Sequence, residues 1–114
     1  MSETHGYEEL LVAKGTSLED LGLRDVALAR ADALLATELL AASSVPILGG
    51  DVYFMRGEAI EQAFANWHTD QRPGESRLEF AERSCRHSAK YIAAFPDRPD
   101  VIPLFVFVVS PGGE

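Results

Sequence analysis

The sequence predicts an α+β fold, with two long helices packed on a mixed or antiparallel sheet of three to four strands. Residues 29–43 and 76–95 are rich in helix-forming residues and contain no Gly or Pro. Residues 101–109 are continuously apolar and rich in β-branched side chains, which is typical of a strand covered on both faces in the middle of a sheet. At 114 residues, the chain is long enough for one core without disulfide or metal.

Short elements are expected before the first long helix. Residues 7–14 predict a short amphipathic helix. Ser17 and Asp20 can cap one more helical turn, and Gly22 is expected to end it. Residues 23–28 are compatible with a strand or an extended connector.

The first long helix is expected to stop at two serines before Pro46, since the residue before a proline avoids helical geometry. Leu35, Leu39 and Ala42 are spaced to form one apolar stripe. We expect this stripe to pack on the sheet.

A strand interrupted by two glycines follows over residues 46–55. Gly49 and Gly50 within a strand pattern predict a bulge or a close approach of another part of the chain. Residues 56–58 then predict a hairpin turn.

The segment after this turn, residues 59–67, is ambiguous. Ile60, Phe64 and Trp67 recur at helical spacing, and the alanines between them favour a helix. A strand that returns from the hairpin is the alternative.

The start of the second long helix is well marked, because Ser76 and Glu79 have the spacing of a capping box. Glu79 and Arg83 can form an ion pair one turn apart. The predicted buried stripe consists of Leu78, Ala81, Cys85, Ser88, Ile92 and Phe95.

The charge is concentrated in the first part of the chain. Residues 1–70 contain 12 acidic and 4 basic side chains, whereas residues 71–114 contain six of each, so the whole net charge of -8 lies before residue 71. Such a field repels nucleic acid and anionic membranes and accelerates encounter with a basic partner. Solubility alone is the other interpretation of this charge.

The composition also indicates a compartment. A single cysteine, Cys85, excludes an internal disulfide and fits a reducing cytosol. Residues 1–12 contain acidic side chains and no Lys or Arg, unlike a secretory signal. We therefore expect a cytoplasmic protein.

Few residues suggest chemistry. Cys85 and His87 lie two positions apart on a predicted helix and cannot meet as nucleophile and base. Asp51, His68 and Asp70 are the one neighbourhood that can supply metal ligands, and they leave open a small-ligand-binding or metal-dependent enzyme. No metal, phosphate-loop or hydrolase motif supports this alternative, and we expect no cofactor and no catalytic residue.

Trp67 has two interpretations that can coexist. As a structural residue, it anchors the loop to the helix that begins near Ser76. As a functional residue, it joins Tyr53, Asn66, His68 and Asp70 in a patch of the kind that dominates protein interfaces.

The middle of the chain is its most distinctive part, and further residues match one known pattern from end to end. The matching residues are Glu8, Glu9, Leu10 and Leu11, then Lys14, Gly15, Thr16, Ser17, Leu18, Glu19, Leu21 and Gly22, then Ile47, Leu48, Gly49, Gly50, Asp51, Val52 and Tyr53, then Asn66, Trp67, His68, Asp70, Arg72, Pro73, Gly74, Glu75 and Ser76, and finally Tyr91, Ile92, Leu104, Phe105 and Val106. In these residues the chain resembles the immunity protein 40 family, small bacterial proteins associated with polymorphic toxin systems.

The resemblance implies one immunity-protein-like domain over residues 1–114 and a strand at residues 59–67. It implies a protein that binds a cognate toxin domain and masks the toxin's active site without catalysis. The acidic surplus fits a basic toxin. As contacts we expect Asp51, Tyr53, Trp67, His68 and Asp70. The protein is expected to be a monomer or homodimer, and pairing of the last strand across two chains is a further possibility.

Overall fold

The computed structural model describes residues 5–110. In chain order its elements are α1 (His5–Lys14), β1 (Thr16–Ser17), a 3₁₀ turn (Glu19–Leu21), β2 (Val26–Ala29), α2 (Arg30–Ala42), β3 (Ile47–Arg56), β4 (Ala59–His68), α3 (Arg77–Ala94) and β5 (Ile102–Val109). The strands form one sheet in the order β1-β2-β5-β3-β4, and every neighbouring pair is antiparallel.

The predicted α+β class is confirmed, but the strand count was low. Within residues 5–110 there are three helices and five strands: α1 is the short helix expected before the two long ones, and β1 is an additional strand. Thr16–Ser17 has only two residues and carries no strand pattern. It becomes a strand because the chain turns at Glu19–Leu21 and folds back along β2.

β5 lies in the middle of the sheet, as its apolar sequence predicted. It pairs with β2 on one side and β3 on the other, and all residues from Pro103 to Phe107 are buried. β5 is therefore an inner strand of the sheet, with Leu104 and Phe105 paired on its β2 side. Pairing of this strand across two chains stays a prediction.

Residues 59–67, whose sequence was ambiguous, form a strand as part of the β3–β4 hairpin. Arg56 pairs with Ala59 across a two-residue turn, and β4 continues from there to His68. Hydrogen bonding to β3 supplies a partner for the backbone along this segment, and this outweighs the helical preference of its alanines.

α3 begins as predicted, with the Ser76 hydroxyl accepting from the Glu79 amide (3.1 Å) and the Glu79 carboxylate accepting from the Ser76 amide (2.8 Å). Four members of its predicted stripe are buried: Ala81, Cys85, Ser88 and Ile92. Leu78 is exposed instead, since Phe80 occupies the buried position in the first turn, and Phe95 is partly buried.

The predicted stripe of α2 is wrong. Leu35 and Ala42 are exposed and Leu39 is only partly buried, whereas the buried residues are Ala33, Ala36, Thr37 and Leu40. The helix is turned so that its small side chains face inward, because α2 packs against α3 as well as against the sheet. Small residues permit this close approach.

The three helices cover one face of the sheet. A second, smaller core lies on the opposite face, where Leu18 and Leu23 cover Ala27, Leu104 and Val106. Leu18 and Leu23 thus cover β2 and β5 on the face opposite to the helices. On the same face, the β3–β4 hairpin carries four exposed residues, which we call the open face: Asp51, Gln62, Asn66 and His68.

The two strand glycines fulfil both predicted roles. Leu48 is an extra residue between the Ile47 and Gly49 pairs with β5, which makes a bulge. Gly50 lies directly beneath the Trp67 indole, and a Cβ there would overlap both the ring and the Val106 carbonyl oxygen. The absence of a side chain at Gly50 thus allows the indole to lie flat against the strand.

Gly50→Ala tests this close approach. We expect it to lower the free energy of unfolding by about 3 kcal/mol, because the added methyl overlaps atoms that are fixed by the sheet. Urea unfolding followed by Trp67 fluorescence measures the change. Gly6→Ala in α1 is the matched control, since the added Cβ would make only an ordinary contact with Leu39 of α2 and should leave stability equal or up to about 1 kcal/mol higher. Equal behaviour of the two variants would contradict the packing described.

Candidate functional site

The open face brings together two of the residues predicted as contacts. Asp51 pairs with Asn66, and His68 lies opposite Gly49, so these side chains share one side of the hairpin. Asp51 and His68 are diagonal neighbours on adjacent strands, a relation that places Cα atoms about 7–8 Å apart. Both are exposed. They form a polar, accessible surface on a rigid element.

Tyr53 lies on the same side of β3 but is only 5% exposed. Burial raises the pKa of its phenol, and the negative charges of Asp51 and Asp25 raise it further, against a hydrogen bond with Gln62 that lowers it. The hydroxyl therefore stays protonated at neutral pH. Asp51 and Asp25 thus both place negative charge near this phenol.

Trp67 points to the opposite side of β4, into the core under the helices. It is 5% exposed, its indole N–H donates to the Ser88 hydroxyl of α3 (2.9 Å), and its ring stacks on Tyr91 at 4.8 Å between centroids. Phe105 and Phe107 contact its edges. Trp67 thus has the structural role that the sequence suggested, and it offers a partner almost no surface.

Asp70 lies in the loop between β4 and α3, which Arg83 holds in place. The Arg83 guanidinium donates to both carboxylate oxygens of Glu75 (2.7 and 2.8 Å) and to the Asp70 carbonyl oxygen (2.6 Å). The predicted pair of Arg83 with Glu79 is replaced by this contact, since Glu79 caps α3. His68 lies 3.8 Å from the Asp70 carboxylate, and both side chains are well exposed.

The remaining candidate chemistry finds little support in this geometry. Among residues 5–110, no three His, Cys, Asp or Glu side chains are grouped so that they could hold a metal ion. For the alternative of a metal-dependent or small-ligand-binding enzyme, the described residues therefore leave Asp51 and the pair of His68 and Asp70 as candidates. Burial raises the pKa of the Cys85 thiol to about 11, so it is protonated and unreactive at neutral pH.

Phe64 is a feature that the sequence did not reveal. Adjacent β3 residues Val52 and Tyr53 pair with Ala65 and Gln62, which leaves Ala63 and Phe64 as extra residues in a bulge of β4. Phe64 has a φ of 56° and is 88% exposed. No glycine marks this bulge in the sequence, and the helical spacing of Phe64 with Trp67 suggested a shared buried face.

A cleft of about 450 Å³ lies next to the bulge. Phe54 and Arg98 form part of its wall, with the Arg98 guanidinium 5.3 Å from the centre of the Phe54 ring. Ala63 and Phe64 border it from β4, and Pro99 and Val101 from the segment before β5. The exposed ring of Phe64 thus lies beside this cleft.

A family model described as Immunity protein 40 matches residues 17–109. The chain belongs to the immunity protein 40 family. The matched region includes the open face and all of the sheet except Thr16 of β1, so the resemblance seen in the sequence is confirmed. A search of curated proteins and a search of solved structures gave no match.

For this immunity protein 40 member, the family supports a role in immunity against a toxin. The family description names no catalytic residue and no cofactor. No helix within residues 5–110 has the length and apolar character needed to cross a membrane.

The contact between Arg83 and Glu75 predicts a pH dependence of stability. Hydrogen bonds from Arg83 and from the Arg72 amide lower the pKa of Glu75 from 4.5 to about 2. A carboxyl with a lowered pKa stabilises the fold above its ordinary pKa, and this contribution is lost as pH falls from about 5 to about 2. Glu75→Gln should therefore lower the thermal midpoint at pH 7, and the difference from wild type should shrink towards pH 2.

Thermal unfolding followed by circular dichroism at several pH values measures this difference. Glu82→Gln, on an exposed part of α3, is the control and should have the smaller effect at pH 7. A Glu75→Gln difference that stays constant down to pH 2 would show that the carboxylate does not contribute as described.

Proposed function

We propose that this chain binds its cognate toxin domain and masks the toxin's active site, acting as a stoichiometric inhibitor without catalysis. Membership of the immunity protein 40 family is the observation that carries this proposal. The open face supplies a surface on which the toxin can dock. The single cysteine supports action in the reducing cytoplasm of the producing cell.

The size of the molecule is compatible with such a complex. A standard interface takes about 800 Å² from each partner, which is about an eighth of the 6784 Å² of accessible surface. His68 of the open face lies 3.8 Å from Asp70 of the loop that Arg83 holds. One interface can therefore extend from the open face to this loop without rearrangement of the helices.

Charge supports a basic partner. Asp51 on the open face and Asp70 in the following loop are both exposed, and Asp25 adds its charge near Tyr53. A negative surface accelerates encounter with a positively charged protein and discourages nucleic acid and anionic membranes. Toxins that act on nucleic acid need a basic surface of this kind.

Co-expression tests the function directly. The toxin domain encoded beside the gene should arrest growth when expressed alone, and this protein should restore growth when expressed with it. The purified proteins should form a complex at micromolar concentration or below. Failure of the pure proteins to associate at that concentration would refute the proposal.

Charge reversal tests the docking surface. We expect Asp51→Lys combined with Asp70→Lys to slow association with the toxin about tenfold at low salt, because the attraction during encounter is lost. The difference should shrink as salt increases. Stopped-flow or surface-based binding kinetics at two salt concentrations measure it.

Glu38→Lys combined with Glu82→Lys is the matched control, since it changes the net charge equally on the groove between α2 and α3. It should slow association much less. If both double variants slow association equally, only the net charge matters and the open face is not the docking surface.

A further inference from the structure

Phe64 is set apart from every other phenylalanine of the chain by its exposure. Its side chain is 88% exposed, whereas Phe95 is partly buried and the rest are buried: Phe54, Phe80, Phe105 and Phe107. An aromatic ring gains more than most side chains from removal from water, and this ring gains nothing within the described fold. Its exposure therefore has to be explained by something other than packing.

The backbone at Phe64 adds a second observation. Its φ of 56° is a left-handed conformation, which is sterically unfavourable for a bulky residue and easily adopted by Gly or Asn. Regular pairing resumes on both sides, at Ala65 with Val52 and at Gln62 with Tyr53, so the bulge is fixed by the ladder. Strained positions of this type concentrate where a protein performs its function.

Protection of the sheet edge does not account for the ring. β4 is the outer strand of the described sheet, and a bulge in an outer strand discourages the addition of further strands. A charged or small residue would serve that purpose as well. An exposed phenyl ring works against it, because it promotes association.

Charge indicates which partner the ring meets. The charged side chains that line the cleft beside Phe64 are Arg56, Glu61 and Arg98, but the chain as a whole has a net charge of -8. A second copy of this chain would carry the same net charge and be repelled. A basic partner would be attracted, and membership of the immunity protein 40 family makes that partner a toxin.

We propose that Phe64 is the apolar anchor of the toxin interface, inserting its ring into an apolar socket of the cognate toxin domain. The cleft of about 450 Å³ beside it receives the rim of that socket. This inference rests on the proposed function and adds the contact that holds the complex together. The acids around the hairpin speed encounter, and the ring slows dissociation.

The test uses the purified toxin domain encoded beside the gene, inactivated by a substitution in its active site, and isothermal titration calorimetry. Phe64→Ala should raise the Kd about thirty-fold or more, mainly through faster dissociation. Val12→Ala is the matched control. Val12 is 89% exposed, but it lies on the regular helix α1, and its removal should leave the Kd unchanged.

Phe64→Asn separates loss of the anchor from loss of the fold. Asn tolerates a left-handed backbone, so this variant should keep or raise the thermal midpoint while it loses affinity as Phe64→Ala does. A purely structural role for the ring predicts the reverse, namely a lowered midpoint in both variants.

The outcomes distinguish the two proposals. If wild type binds the toxin and Phe64→Ala binds equally well, the anchor is refuted and the proposed function stands. If Phe64→Ala abolishes a dimer seen by sedimentation and leaves toxin binding unchanged, the ring serves self-association and the anchor is also refuted. If wild type does not bind the toxin, the proposed function fails and the anchor with it.

Discussion

The fold depends on one contact between the sheet and a helix, in which the Trp67 indole lies between Gly50 of β3 and Tyr91 of α3. On the strand side, the ring fits because Gly50 has no side chain, and on the helix side it stacks on the planar ring of Tyr91. The indole N–H is satisfied by Ser88, so the polar atom adds no cost to burial. Through this contact the hairpin is fixed to the helix layer, and the outer side of the hairpin acquires a defined position.

Fixing the hairpin separates the parts of the molecule that stabilise it from the parts that can bind. Trp67 and its neighbours in β4 alternate in direction, so the burial of Trp67 turns Asn66 and His68 outward. Arg83 of α3 fixes the next loop in a similar way, because its guanidinium donates to Glu75 and to the Asp70 carbonyl oxygen. The exposed groups are thereby presented by a rigid support, which lowers the entropic cost of binding.

The bulge at Phe64 departs from this alternation. Two extra residues allow Gln62 and Ala65 to pair with adjacent β3 residues while the ring points into solvent. Stability alone would favour a smaller or more flexible residue at this backbone conformation. A position that costs stability and exposes an aromatic ring fits a surface shaped for a partner.

Local sequence rules determined a large part of this protein. The capping box of Ser76 and Glu79, the central position of the apolar strand β5 and the buried stripe from Ala81 to Ile92 follow from spacing and composition. Residues spread along the chain also identified the family. These features depend on neighbours within a few positions, or on a match that needs no coordinates.

The remaining features required the tertiary structure, because each depends on a distant partner. Pairing with β3 made residues 59–68 a strand, and the contact with α3 turned α2 so that Leu35 faces outward. Arg83 forms its ion pair with Glu75 and not with Glu79, because the folded loop brings Glu75 next to α3. The burial of Trp67 and the exposure of Phe64 were decided in the same way, since the register of two paired strands determines which side chains reach the core.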